Sequence, residues 1–196
     1  MLKGRDPAHD FSHIIRVYKN AKIIGQCEGT DMDILLPAAL LHDLVVYPKS
    51  SKKSSRSSDE SAELAENILH SYGYPQDKIN QICYCIRMHS YSKQIIPASL
   101  EGRVLQDADR LDALGAIGIA RAFSVGGSEN RTFYNADDPF WRSGRDLAEM
   151  QWTLDHFQTK LLKLKKTMHT KTAKKIAQQR TRFMMDFMMQ LQREIN

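Results

Sequence analysis

Leu36-Pro37-Ala38-Ala39-Leu40-Leu41-His42-Asp43 closes an apolar run with two strong ligand side chains. The run reads as a buried helix, yet it ends on an imidazole and a carboxylate where leucines would otherwise continue. A lone buried histidine is most often a hydrogen-bonded core residue. A buried aspartate is rarely tolerated unless it is paired or coordinates a metal. Partners of the right kind stand on either side. His13 lies in His9-Asp10-Phe11-Ser12-His13, and Asp109 lies in Gln106-Asp107-Ala108-Asp109-Arg110-Leu111-Asp112. A His, a His-Asp pair and an Asp from three separate helices can meet around one divalent cation.

Helical spacing constrains that meeting. Asp10 and His13 are three residues apart and share a face. Adjacent His42 and Asp43 are about 100° apart on a helix, so an ion shared by both must sit between them. Asp109 and Asp112 share a face, and Asp107 points elsewhere. A mixed imidazole and carboxylate set suits Mn²⁺, Fe²⁺, Co²⁺, Ni²⁺ or Zn²⁺. It has too few oxygens for a calcium cage and too many imidazoles for a preferred Mg²⁺ site. On an octahedral ion, two histidines and two carboxylates leave positions for water and for a substrate phosphate oxygen.

The rest of the chain reads as helix nearly throughout. Val and Ile alternation typical of strands is absent, and Gly-Asn or Asp-Gly hairpin signals do not occur. Asp10 is placed to cap a helix running to about Glu28, with Ile14, Val17, Ala21 and Ile24 on one face. The next begins near Asp31 or Asp33 and ends just past Asp43, at Tyr47-Pro48, with Pro37 in its first turn or at a break. Lys49 to Ser58 is a Ser/Lys/Arg loop. Ser57 and Glu60 form a capping-box pattern that opens a helix stopping at Gly73. Pro75 starts another, carrying Ile79, Ile82, Ile86 and then His89. A helix after Pro97 holds the Asp-rich motif, and Gly115 to Ala120 continues as a small-residue helix. Gly126 to Gly144 is irregular but carries Phe133, Tyr134, Phe140 and Trp141, as an active-site lid or as a loop folding its aromatics onto the body. Leu154, Phe157, Leu161, Leu164 and Met168, then Ile176, Met184, Met188, Leu191 and Ile195, read as the two seams of a C-terminal helical hairpin, roughly residues 146–196. Packing of that hairpin onto the body is favoured over a homodimer contact.

The chain has 196 residues, 42% of them hydrophobic, and reads as a single all-α domain over 1–196. No run approaches the ~20 apolar residues of a membrane span, so no membrane partner is expected. Met1 to Pro7 lacks the apolar segment of a signal peptide. Cys27, Cys83 and Cys85 have no zinc-like spacing, and the last two would point to different sides of one helix. A reduced, cytoplasmic protein is expected. The net charge of +5 suits anionic ligands such as nucleotides. Its sources are residues 49–56 and the C-terminal third, where lysines from Lys160 to Lys175 read as a solvated face.

His13, His42-Asp43 and Asp109 resemble the H…HD…D signature of the HD-domain metal-dependent phosphohydrolases. His9-Asp10-Phe11-Ser12-His13-Ile14-Ile15-Arg16-Val17 is similar to the HDxxHxxRV opening of a bacterial subgroup. So are AALLHD, SAELA, HSYS, QDADRLDALGAIGIARAF and HFxxKLLKLKxxM, which together span nearly the whole chain. That subgroup includes nucleotide pyrophosphohydrolases. The resemblance implies an HD-type helical bundle and His13, His42, Asp43 and Asp109 as metal ligands, with Mn²⁺ first and Fe²⁺, Co²⁺, Ni²⁺, Zn²⁺ or Mg²⁺ after it. Asp107 competes for the last place. Asp109 is preferred because the family's final Asp stands in an Ala-Asp-x-Leu context, here Ala108-Asp109-Arg110-Leu111. Some HD nucleotidases carry a Glu three residues past the HD aspartate, where this chain has Val46. A general acid must then come from His89, Asp107 or Lys49, in that order.

Arg16, Lys49, Arg110 and Arg121 are the candidates for holding substrate phosphates, with a solvated loop as the alternative for Lys49 and its neighbours Lys52 and Lys53. For Arg110 the alternative is an ion pair with Asp107 or Asp112. His9 suits capping or support, His156 core support, and His70 and His169 the surface. The expected function is hydrolysis of a nucleotide, a nucleoside triphosphate cut to monophosphate and pyrophosphate. A nucleoside monophosphatase or a phosphodiesterase is the alternative within the class. A non-enzymatic nucleotide sensor or nucleic-acid-binding helical module is the alternative outside it, and it is disfavoured because no DNA-binding signature is present.

Overall fold

A computed structural model describes residues 11–47, 51 and 53–195. Those residues form eight α-helices and no strand: α1 (Phe11–Glu28), α2 (Met32–Leu41), α3 (Ser57–Ser71), α4 (Gln76–Met88), α5 (Leu100–Leu111), α6 (Gly115–Ser128), α7 (Asp155–Thr159) and α8 (Lys171–Ile195). Short 3-10 turns cover Ser54–Arg56, Tyr91–Lys93 and Leu161–Thr167. The all-α reading holds. His9, Asp10, Pro48, Lys49 and Lys52 lie outside the described residues. Among the described residues no helix is long and apolar enough to cross a membrane.

The chain divides into two compact units, residues up to 111 with 169–173, and residues 112–168 with 174 onward. In the first, α2 packs against α1, α3, α4 and α5. A helix with neighbours on so many sides must be apolar nearly all round, which is why Met32–Leu41 shows no clean polar face. α1 buries Ile14, Val17, Ala21 and Ile24, the face expected from its spacing, and α4 buries Ile79, Ile82, Cys83, Cys85 and Ile86. Gly25 permits the close passage of α1 and α2: a Cβ there would lie 2.4 Å from Leu35 Cδ2. α3 stops where expected. Gly73 takes φ +71°, and the Tyr74 N–H returns to the Leu69 carbonyl at 3.1 Å.

Three local expectations are corrected. Pro37 is the sixth residue of α2, neither in the first turn nor at a break. The carbonyl it leaves without an N–H partner is that of Asp33, whose side chain is 74% exposed, so water can serve it. α2 ends at Leu41 with His42 as its C-cap, so the His-Asp pair sits on the helix end and does not lie inside it. The Ser57–Glu60 capping box is not formed. Arg56 holds the N-cap position without a side-chain bond, and Glu60 instead accepts the Tyr47 hydroxyl at 2.5 Å.

In the second unit, α6 runs through Gly126 to Ser128, so the irregular segment begins later and extends to residue 154. Asp155 gathers it from within, accepting the Trp141 indole N–H at 2.8 Å, both Arg145 Nη groups at 2.7 Å and the Ala148 N–H at 2.7 Å. Leu154, Phe157, Leu161, Leu164 and Met168 are all buried, as their spacing implies. They do so on a five-residue helix followed by a 3-10 stretch, not on one continuous arm. On the part of α8 that belongs to this unit the buried stripe is Ala177, Thr181 and Met184. Ile176, Met188, Leu191 and Ile195 are only half-buried.

Candidate metal centre

The last carbonyls of an α-helix have no partner within the helix. At the end of α2, the His42 side chain takes one of them: its Nδ1 stands 2.9 Å from the Ala39 carbonyl. A carbonyl only accepts, so Nδ1 carries the proton and the lone pair is left on Nε2. The end of α4 repeats the device. His89 is its C-cap, and His89 Nδ1 lies 2.7 Å from the Ile86 carbonyl. Two helix ends therefore each present an imidazole Nε2 in a fixed direction.

These nitrogens converge on one carboxylate. Asp43 Oδ2 lies 3.6 Å from His42 Nε2 and 3.6 Å from His13 Nε2, and Asp43 Oδ1 lies 3.4 Å from His89 Nε2. α5 brings Asp109, whose Oδ1 is 3.5 Å from His13 Nε2. The His13 and His42 rings are 5.4 Å apart, and the His42 and His89 rings 5.0 Å apart. Two overlapping sets have donor atoms all within 4.8 Å of one another: His13, His42 and Asp109, and His42, Asp43 and His89. Donors about 2.1 Å from a common ion stand about 3 Å apart when adjacent and about 4 Å when opposite. The four spacings of 3.4 to 3.6 Å fall in that range and are long for direct hydrogen bonds. His42 Nε2 is fully buried and has no hydrogen-bond partner among the described residues. An orphaned buried lone pair in a cluster of imidazoles and carboxylates fits a divalent cation, and a carbonyl on the opposite ring nitrogen is the usual support of a metal-bound histidine.

The electrostatics agree. Burial holds the His42 imidazole below its ordinary pKa despite the neighbouring Asp43, which keeps it neutral and able to ligate. Burial opposes the charge on Asp43, but His42, His13 and His89 outweigh it and hold this carboxyl well below the usual carboxylate range. For His89 burial acts downward, and Asp43 reverses the balance, so its pKa is raised.

A family model described as the HD domain matches residues 10–114. This chain belongs to the HD-domain family. It is 34% identical to YpgQ of Bacillus subtilis, over 100% of this chain and 88% of that one. A crystal structure of YpgQ in complex with ADP superposes with a TM-score of 0.76 at 33% identity, covering 99% of this chain and 95% of that one. An HD-superfamily hydrolase from Bacillus thuringiensis matches at a TM-score of 0.74 and 34% identity, over 95% of this chain and 86% of its own. The HD pair of the family signature is here the pair that ends α2.

The remaining candidates separate. His89 joins the cluster. Asp107 does not: it is buried on α5, and its carboxylate accepts the N–H groups of His169 and Thr170 at 2.8 and 2.9 Å and the Thr170 hydroxyl at 2.8 Å. Arg16 lies half-buried on α1, one turn beyond His13. Arg110 Nη2 donates to the neutral Gln106 Oε1 at 2.7 Å, and Asp107 and Asp109 act on the guanidinium as nearby negative charges. Arg121 belongs to the second unit and binds Asp112 Oδ2 at 2.6 Å. Lys49 is outside the described residues. His169, expected at the surface, is half-buried, with its ring 2.8 Å from Gln106 Oε1.

Proposed function

We propose that this HD-domain hydrolase cleaves nucleoside triphosphates to monophosphate and pyrophosphate, using one divalent cation, Mn²⁺ first, held by His13, His42, Asp43 and Asp109. The observation that carries the reading is the convergence of three imidazole nitrogens and Asp109 around Asp43, with His42 Nε2 buried and orphaned. The ADP complex of YpgQ supports a nucleotide as the ligand class. A divalent ion in this position supplies an acidified water and neutralises charge on the attacked phosphorus. The protein's own groups do the rest. The backbone carbonyls of Ala39 and Ile86 fix the rings of His42 and His89 before substrate arrives, so little reorganisation accompanies the reaction. His89, facing Asp43 Oδ1, takes the proton-donor role for which Val46 offers no acid. Arg110 and Arg16 are positioned on the elements that carry Asp109 and His13, and they receive equatorial phosphate oxygens. Asp107 and Arg121 serve other contacts, because three backbone and hydroxyl donors engage the first and Asp112 engages the second. A cytoplasmic setting accords with Cys83 and Cys85 buried as thiols among different neighbours.

The test is a panel of nucleoside tri-, di- and monophosphates with Mn²⁺, Co²⁺, Ni²⁺ and Mg²⁺, reading pyrophosphate and orthophosphate separately. Pyrophosphate released from triphosphates is the expected result. Orthophosphate released from monophosphates would make the protein a nucleotidase instead. Tight nucleotide binding with no turnover under any metal would make it a sensor.

A further inference from the structure

One buried polar cluster beside the metal centre has no part in holding the ion. Gln106 is fully buried on α5, and its Nε2 donates to the Met88 carbonyl at 2.6 Å and to the Ile95 carbonyl at 2.8 Å. Both partners only accept, so the amide orientation is fixed and Oε1 is the acceptor on the other side. Arg110 Nη2 donates to it at 2.7 Å, and His169 Nε2 lies 2.8 Å from it. His169 Nε2 is also 3.2 Å from Arg110 Nη1. These two histidine contacts cannot both be hydrogen bonds of a neutral ring. With Nε2–H given to Oε1, His169 acts on the guanidinium by ordering Gln106 and by walling its side. Tyr91 closes the arrangement with its ring 5.5 Å from the Arg110 guanidinium carbon. His169 is itself anchored, because its backbone N–H donates to Asp107 Oδ1 at 2.8 Å, and Thr170 binds Oδ2 twice.

Arg110, so held, is a buried residue and follows Asp109 directly, whose negative charge acts on it. A cation is costly to bury unless it serves the fold or a ligand. Here a neutral amide and an imidazole hold it, on the residue that follows a carboxylate of the proposed metal site. We propose that His169 and Gln106 are positioning residues: they fix the Arg110 guanidinium beside the Asp109 edge of the metal centre, where it takes up the polyphosphate of the substrate. This rests on the phosphohydrolase reading above. An arginine held in place loses less side-chain entropy on binding phosphate than a free one, so the network acts through affinity.

The experiment is calorimetric titration of inorganic tripolyphosphate into the Mn²⁺-saturated full-length protein, with KM and kcat for a nucleoside triphosphate measured alongside. His169→Ala weakens tripolyphosphate binding and raises KM about tenfold, the upper end of what one ordinary hydrogen bond contributes, while the affinity for Mn²⁺ alone is unchanged. His169→Gln, which restores an N–H at the same reach, recovers most of the loss, and the shorter His169→Asn does not. In an Arg110→Met background His169→Ala adds nothing. The proposal is overturned if wild-type protein binds no tripolyphosphate, if His169→Ala and His169→Asn bind as wild type does, or if His169→Ala costs as much without Arg110 as with it. Should the binding pattern appear while no nucleotide is hydrolysed, the positioning role stands and the phosphohydrolase reading fails. Should hydrolysis proceed with the binding pattern absent, the reverse holds.

Discussion

Asp155 and Asp43 are both carboxylates set among buried neighbours, and they are treated in opposite ways. Asp155, fully buried in the second unit, has four donors at 2.7 to 2.8 Å: the Trp141 indole, two from Arg145 and the Ala148 backbone. Asp43 is ringed by three imidazole nitrogens at 3.4 to 3.6 Å, and one of them, His42 Nε2, lacks a hydrogen-bond partner among the described residues. The first cluster is complete in itself and ties a long loop together. The second brings imidazole and carboxylate atoms to spacings at which they could hold a cation. The difference separates a polar cluster whose donors and acceptors are matched from one whose hydrogen bonding within the protein is incomplete.

Changes at the two sites should therefore diverge. The largest effect is on activity: Asp43→Asn lowers turnover on the order of 1000-fold, since a metal supplies several kcal/mol at the transition state. The same change leaves stability to urea within about 1 kcal/mol of wild type. A variant that unfolds instead would make Asp43 a structural carboxylate like Asp155. Next in size, Asp155→Ala strands Arg145 and the Trp141 N–H and destabilises the second unit by about 3 kcal/mol, measured by urea denaturation. An effect below about 1 kcal/mol would remove the contrast.

A smaller effect follows from pH. Burial acts upward on the Asp155 pKa, but Arg145, Ala148 and Trp141 prevail and hold it below the ordinary carboxylate value. A carboxyl depressed in the folded state contributes stability that is complete above its unfolded pKa, near about 3.9, and is lost as pH falls through the folded value. Both tryptophans, Trp141 and Trp152, lie in the second unit, so their fluorescence reports it. Below about pH 4 the wild-type signal should report a steeper loss of stability than that of Asp155→Asn. Equal acid limbs would show that Asp155 gains nothing from its donors. The smallest effect is at Ser57: with no cap bond to lose, Ser57→Ala changes stability by less than about 0.5 kcal/mol. A loss near about 1 kcal/mol would show that the capping box forms in solution.

Much of the first unit is legible in the residue pattern alone, because α1 and α4 each bury one regularly spaced face. The His-Asp pair is legible for a related reason: polar ligands at the end of an apolar run violate burial rules unless something compensates. Other features depend on contacts far apart in sequence. Local pattern favours a capping box at Ser57, but Tyr47 claims Glu60. Spacing alone cannot separate an α-helix from a helix that tightens into a 3-10 stretch, so the segment around Leu161 keeps its expected burial with a different geometry. The role of His169 escapes a sequence reading because Gln106 lies 63 residues away from it. The available signal is indirect: Gln106 and Asp107 are polar residues on a largely buried helix and require partners.

The central claim is that His13, His42, Asp43 and Asp109 hold one divalent cation. It is tested most directly by titrating Mn²⁺ into the metal-free protein while following free Mn²⁺ by electron paramagnetic resonance, for wild type, His42→Ala and Asp109→Asn. The expected result is one tightly bound ion per wild-type chain, lost or weakened at least about 100-fold in both variants. Wild-type stoichiometry and affinity in His42→Ala would contradict it.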